Sequence, residues 1–159
     1  MLILLCILSI HLWAKQDCNT STQQVIVNGT SMSPLFKDKQ ELKVIKNYYS
    51  CHDIQRGDII VFEQSGRKNL LIKSVIAIPG DKFEYKNLQI YINGKIQKNS
   101  SGVVYSIKSK MLSLYSKSYP VLPKDSYLVL GDNPQGTLDA SAYGLIGREQ
   151  IQGKVQTQP

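Results

Sequence analysis

The chain has 159 residues, enough for one domain with at most a small insertion. Hydrophobic residues make up 42% of the sequence, which excludes a chain that is disordered throughout. The net charge of +7 comes from scattered basic residues without interleaved aromatic residues, so we predict a basic surface that faces anionic lipid and no nucleic-acid partner.

Residues 1–15 are predicted to be a membrane anchor. They are strongly apolar but fewer than the roughly 20 residues that a spanning helix needs. Trp13 and Lys15 are typical of a membrane interface, and the segment lacks the basic start of a cleavable signal peptide. An uncleaved signal segment and a buried helix stay open as alternatives. The polar residues 16–24 are predicted to be a linker.

From residue 25 onwards, short apolar runs alternate with turn residues. We predict strands in residues 42–48, 58–62, 70–78, 88–92, 126–130 and 151–155. Asn93-Gly94 predicts a tight hairpin after the fourth of these. Residues 99–120 are rich in Ser, Lys and Tyr, and this composition predicts a mobile excursion from the compact fold. Residues 84–125 are therefore interpreted as a hairpin followed by an insertion. Both belong to a domain of residues 25–159. Regularly spaced short strands favour an antiparallel β-barrel or sandwich.

Ser31 is the candidate nucleophile. The β-prone run 25–27 ends in the turn pair Asn28-Gly29, which would display the Ser31 hydroxyl beside flexible backbone N–H groups. A serine hydroxyl needs a base to remove its proton. Neither His11, in the apolar N-terminal run, nor His52 has a suitable context, which directs attention to lysine.

Lys73 is the candidate base because it is the one cation in the apolar run 70–78. In a strand it would share a face with Leu71 and Val75, with further apolar residues on the other face. Burial lowers the pKa of a lysine, and a neutral amine is a competent general base. The alternative is an edge-strand lysine that blocks aggregation or extends to solvent.

Four sequence blocks, in order, resemble those of the type I signal peptidases, membrane-anchored serine–lysine proteases that remove signal peptides. They are residues 29–34, 56–62 and 72–81, then 131–133 with Thr137, Asp139 and Gly144. The resemblance implies a mainly β, signal-peptidase-like antiparallel β-barrel or sandwich with an N-terminal membrane-anchor helix and a small insertion. It also implies Ser31 as nucleophile and Lys73 as general base, with no metal and no cofactor.

The resemblance assigns supporting roles as well. The Ser31 N–H would hold the oxyanion, and Gly29 matches family members that have no side-chain donor at that position. Thr137 would orient the lysine amine, and Asp139 would be a structural acid. Apolar residues would shape pockets for small substrate side chains, or simply pack in the core; these are Val27, Met32, Leu35 and Ile72.

The sequence departs from the family pattern at three places. Pro134 stands where arginine is usual, Ala140-Ser141 replaces Ser-Arg, and Ser74 follows the lysine in place of a frequent arginine. A specialised conjugative-transfer or pilin-processing peptidase of the same family therefore stays an alternative, as does a catalytically inactive β-domain that acts as a secretion scaffold.

The implied partners are preprotein signal peptides and the lipid bilayer. The implied location is a cell membrane, the bacterial inner membrane, with the catalytic domain on the extracytoplasmic side. That location permits a disulfide between Cys18 and Cys51 but does not require one.

Overall fold

The structure, a computed structural model, describes residues 18–135 and 137–157. The predicted membrane anchor, residues 1–15, lies outside the described residues. Within the described ranges, no helix combines the length and the apolar character needed to cross a membrane.

The described residues form ten strands and two α-helices. The strands are β1 (Ser21–Ile26), β2 (Glu41–Lys46), β3 (Ile59–Phe62), β4 (Leu71–Ala77), β5 (Phe83–Lys86), β6 (Gln89–Ile92), β7 (Lys95–Ile96), β8 (Ser126–Leu130), β9 (Ile146–Gly147) and β10 (Ile151–Val155). The helices are α1 (Lys110–Ser118) and α2 (Ala140–Tyr143).

Seven strands form the larger sheet in the order β1-β2-β10-β3-β4-β8-β9, and every pairing in it is antiparallel. The predicted mainly β, antiparallel class is therefore confirmed. In the described part of the chain, β1 and β9 stand at opposite ends of this sheet, so the sheet does not close into a barrel.

The first strand begins earlier than the sequence indicated. Residues 16–24 were predicted to be a linker, but β1 begins at Ser21 and pairs with β2 from Ser21↔Lys46 to Ile26↔Glu41. The prediction was misled by the polar composition of this segment, because strand residues on an exposed edge need not be apolar.

Residues 82–121 form a smaller lobe that packs on the larger sheet. Its three-stranded sheet has the order β5-β6-β7, and the predicted hairpin at Asn93-Gly94 is present with both residues at positive φ. The lobe packs through the side chains of Phe83, Ile90 and Leu112, which join a buried cluster with residues of β4 and β8.

Helix α1 lies in the segment that was predicted to be a mobile excursion. Ser109 caps it, since the Ser109 hydroxyl accepts a hydrogen bond from the Leu112 N–H at 3.0 Å. Leu112 is buried, whereas Leu114 faces solvent. Tertiary packing of one face thus makes a helix of a serine-rich segment that has little helical preference of its own.

A disulfide joins Cys18 to Cys51, with the two Cα atoms 5.7 Å apart. It ties the segment before β1 to the connection between β2 and β3. The sequence left open whether Cys18 and Cys51 are bonded to each other, and the structure shows that they are.

Candidate active site

Ser31 lies in the turn between β1 and β2, which we call the nucleophile turn (residues 27–40). The backbone closes it: the Val27 N–H donates to Gln40 O and the Phe36 N–H donates to Met32 O, at 2.9 and 2.8 Å. Gly29 has φ +92°, a conformation that favours glycine, and its N–H donates to the Asp38 carboxylate at 2.7 Å. The turn is therefore a defined structure rather than a loose loop.

Lys73 lies on β4, opposite Ile60 of β3, and only 2% of it is exposed. Its Nζ donates to Ser31 Oγ at 2.8 Å and to the Ile72 carbonyl at 2.9 Å. Two residues that are 42 positions apart in the sequence thus meet at hydrogen-bond distance. The alternative of an exposed edge lysine is wrong, because β4 is an interior strand between β3 and β8.

Burial lowers the pKa of Lys73 from 10.5 to about 8, and the negative charge of Asp139 opposes this shift. A substantial fraction of the amine is therefore neutral near pH 8. In that state the 2.8 Å contact reverses, because Ser31 Oγ–H can donate to the lone pair of Nζ.

Asp139 is fully buried and organises the segment that follows β8. Its carboxylate accepts hydrogen bonds from the Gly131 N–H and the Ser141 N–H, both at 2.9 Å, and from the Thr137 hydroxyl. In this way Asp139 caps α2 and fixes Thr137. The Thr137 hydroxyl is directed at Asp139, so the contact with the lysine amine that the resemblance implied is not the one made in this structure.

Gly131 and Asn133 hold the nucleophile turn against the end of β8. The Asn133 N–H donates to the Ser31 carbonyl at 3.1 Å. A Cβ at Gly131 would lie 2.4 Å from that carbonyl oxygen, so only glycine permits the close approach. Leu130 pairs with Ser74, next to Lys73, which explains why this segment reaches the site.

The resemblance implied that the Ser31 N–H holds the oxyanion and that Gly29 contributes no side-chain donor there. Across residues 18–135 and 137–157, no group accepts a hydrogen bond from the Ser31 N–H, which leaves this donor available. The Gly29 N–H is engaged by Asp38 and is not available. The contribution of Gly29 is therefore the shape of the turn.

The four predicted pocket residues lie in one cluster beside the turn. Val27 and Met32 are buried, while Leu35 and Ile72 are partly buried against them. The structure thus brings these residues together, and the two partly buried ones retain surface that a small side chain could contact.

Two functional features escaped the sequence analysis. Asp132 is 2% exposed and accepts hydrogen bonds from both the nucleophile turn and the smaller lobe. Arg56 and Asp81, from two of the recognised blocks, form an ion pair that links the start of β3 to the turn after β4. The hydrogen-bond donors to Asp132 and the pairing of Arg56 with Asp81 could not be predicted from the sequence, because both depend on long-range packing.

The sequence of this chain is similar to those of known proteins. The sequence model of the family "Signal peptidase, peptidase S26" matches residues 2–158. The chain belongs to this family. Signal peptidase IB of Staphylococcus aureus is 36% identical over 141 residues, covering 81% of this chain and 73% of the relative. Signal peptidase I P of Bacillus subtilis subsp. natto is 34% identical over 132 residues, covering 80% and 71%.

Among solved structures, a signal peptidase I from Enterococcus faecalis V583 is similar to this chain with 24% sequence identity and a TM-score of 0.49. The similarity covers 67% of this chain and 98% of that one.

Proposed function

We propose that Ser31 is the nucleophile and Lys73 the general base of this member of the signal peptidase family. The family membership makes the chain a serine endopeptidase of the signal peptidase I type, which removes signal peptides. The observation that carries the assignment of the two residues is the 2.8 Å contact between a nearly inaccessible lysine amine and a serine hydroxyl.

In the proposed acylation step, the neutral Lys73 amine takes the proton of the Ser31 hydroxyl as Oγ attacks the carbonyl carbon of the scissile peptide bond. The C–N bond then breaks, and the resulting ammonium returns the proton to the departing amine. The available Ser31 N–H stabilises the oxyanion, and removal of one such donor in other enzymes costs about 3 kcal/mol of transition-state stabilisation.

In the deacylation step, the same amine removes a proton from a water molecule that attacks the ester, the bond between the acyl carbon and Ser31 Oγ breaks, and the ammonium returns the proton to Oγ. The hydrogen bond from Lys73 to the Ile72 carbonyl keeps the amine in place through both steps. The substrate would bind extended, as peptides do when they pair with strand edges, with a small side chain against Leu35 and Ile72.

The substrates we propose are exported preproteins, cleaved beside the bilayer on the extracytoplasmic side of a bacterial inner membrane. The disulfide supports this side, because disulfides persist in oxidising compartments. The basic surface would face anionic lipid headgroups.

The experiment is cleavage of a model preprotein by the purified protein and its variants. Ser31→Ala and Lys73→Ala should each abolish cleavage while the fold, followed by circular dichroism, is retained. Ser33→Ala, which removes a hydroxyl in the same turn, and Lys43→Ala, which removes an exposed lysine on β2, are the matched controls and should keep normal activity. Normal turnover by either dyad variant would refute the assignment.

The alternative, a catalytically inactive scaffold, can be tested by labelling the serine. A serine-directed acylating probe should label the wild type and fail to label Ser31→Ala. An unlabelled wild type would favour the scaffold, although a scaffold gives no physical reason for a buried lysine amine against a serine hydroxyl.

A further inference from the structure

Asp132 joins two parts of the chain that are distant in sequence. Its Oδ2 accepts a hydrogen bond from the Leu35 N–H, in the nucleophile turn, at 3.1 Å. On the side of the smaller lobe, the Ser100 N–H donates to Oδ1 at 2.8 Å and the Ser100 hydroxyl donates to Oδ2 at 2.6 Å. One carboxylate therefore connects the lobe to the turn that carries the nucleophile.

These donors are the hydrogen-bond partners of the buried Asp132 carboxylate. In the described part of the chain, no cation lies within ion-pair distance of this carboxylate. A carboxylate that is 2% exposed must be satisfied by hydrogen bonds, and those to a charged group are the strong ones. Ser100 supplies two of the three.

Ser100 is itself held in a fixed loop. The Asn99 side-chain amide donates to the Asp132 carbonyl at 3.0 Å, while the Asn99 side-chain oxygen accepts from the Ser101 and Val103 N–H groups at 3.0 and 2.9 Å. The loop therefore presents the Ser100 hydroxyl in one position.

Open space lies beside Asp132, between the loop of residues 99–102 and the nucleophile turn. A cavity of about 390 Å³ lies between the loop and the turn, with Leu35, Ile59, Ser74, Ser100, Tyr105 and Asp132 among its lining residues. Across this space, the hydrogen bonds at the Asp132 carboxylate link the lobe to the turn.

We propose that Ser100 is a positioning residue for the nucleophile turn and acts through Asp132. Without its hydroxyl, Oδ2 loses the shorter of its two hydrogen bonds, the carboxylate is free to rotate about its Cβ–Cγ bond, and the bond to the Leu35 N–H is formed for a smaller fraction of the time. Ser31 then spends less time in line with the Lys73 amine. The loss falls mainly on kcat, because the bond that weakens is made by the Leu35 backbone N–H and fixes the turn, whereas the Leu35 side chain that would contact the substrate is unchanged. The kinetic part of this proposal rests on the proposed function.

The test compares Ser100→Ala with Ser101→Ala, its matched neighbour in the same exposed loop, and with Ser100→Thr, which keeps a hydroxyl. Removal of one hydrogen bond to a charged group should lower kcat about tenfold in Ser100→Ala. We expect KM to change less than twofold, Ser101→Ala to match the wild type, and Ser100→Thr to recover most of the lost kcat. Equal thermal unfolding temperatures for the two alanine variants would rule out general destabilisation as the cause.

A second readout does not need activity. Amide hydrogen exchange at Leu35 should be faster in Ser100→Ala than in Ser101→Ala, since the acceptor of its N–H is disturbed. If the wild type cleaves no preprotein, the proposed function fails while exchange at Leu35 still decides the coupling. A normal kcat in Ser100→Ala of an active enzyme, failure of Ser100→Thr to restore it, or unchanged exchange at Leu35 would each overturn the proposal.

Discussion

The pH dependence of cleavage gives the sharpest test of the buried amine. With a Lys73 pKa of about 8, the neutral fraction is about 9% at pH 7, half at pH 8 and about 90% at pH 9. The rate of acylation should therefore rise roughly tenfold between pH 7 and pH 9 and then level off. A lysine with the ordinary pKa of 10.5 would give a roughly hundredfold rise over the same interval, with no plateau.

The assay is single-turnover cleavage of a preprotein by excess enzyme at a series of pH values from about 6 to 10, which reports the acylation step. Circular dichroism at each pH would establish that the fold is intact. A rate that is independent of pH, or one that keeps rising tenfold per pH unit above pH 9, would refute the reasoning that burial makes Lys73 the base.

Three further predictions concern the charge of the site and the disulfide. Between pH 8 and pH 10.5 the unfolded chain keeps a proton on Lys73 that the folded chain has lost, so the contribution of Lys73 to the free energy of unfolding rises with pH across this window by about 3 kcal/mol. Lys73→Met should lack this rise in urea denaturation, and an identical pH dependence in the two proteins would contradict the prediction. Asp139→Asn should move the midpoint of the pH–rate profile below 8, because the Asp139 charge raises the pKa of Lys73; a midpoint at or above that of the wild type would exclude this role. Replacing Cys18 and Cys51 by serine opens a loop with a sequence separation of 33 and should lower the free energy of unfolding by about 4 kcal/mol, whereas equal stability of the two proteins would show that the bridge contributes nothing.

The contact between Ser31 and Lys73 could be predicted because each residue has a strong local context. Ser31 follows a strand and a turn pair, and Lys73 interrupts the apolar sequence of the longest predicted strand, residues 70–78. Strands β8 and β10 were predicted with their bounds as observed, and β3 and β4 to within a residue at each end.

The missed features depend on partners that are distant in sequence. Helix α1 has three serines among its nine residues, so its helical preference is weak and its packing through Leu112 decides the outcome. The Ser109 cap was a local signal that could have indicated its start. The bonds between Ser100 and Asp132 join residues 32 positions apart, and no spacing rule identifies such a pair.

The place of β10 in the larger sheet has a consequence for biosynthesis. This strand lies between β2 and β3, so it joins the half of the sheet that leads to Ser31 to the half that carries Lys73. A ribosome releases both of those residues well before it releases residues 151–155. A nascent chain that has not yet added β10 therefore lacks the strand that joins the β1–β2 pair, which leads to Ser31, to the β3–β4 pair, which carries Lys73.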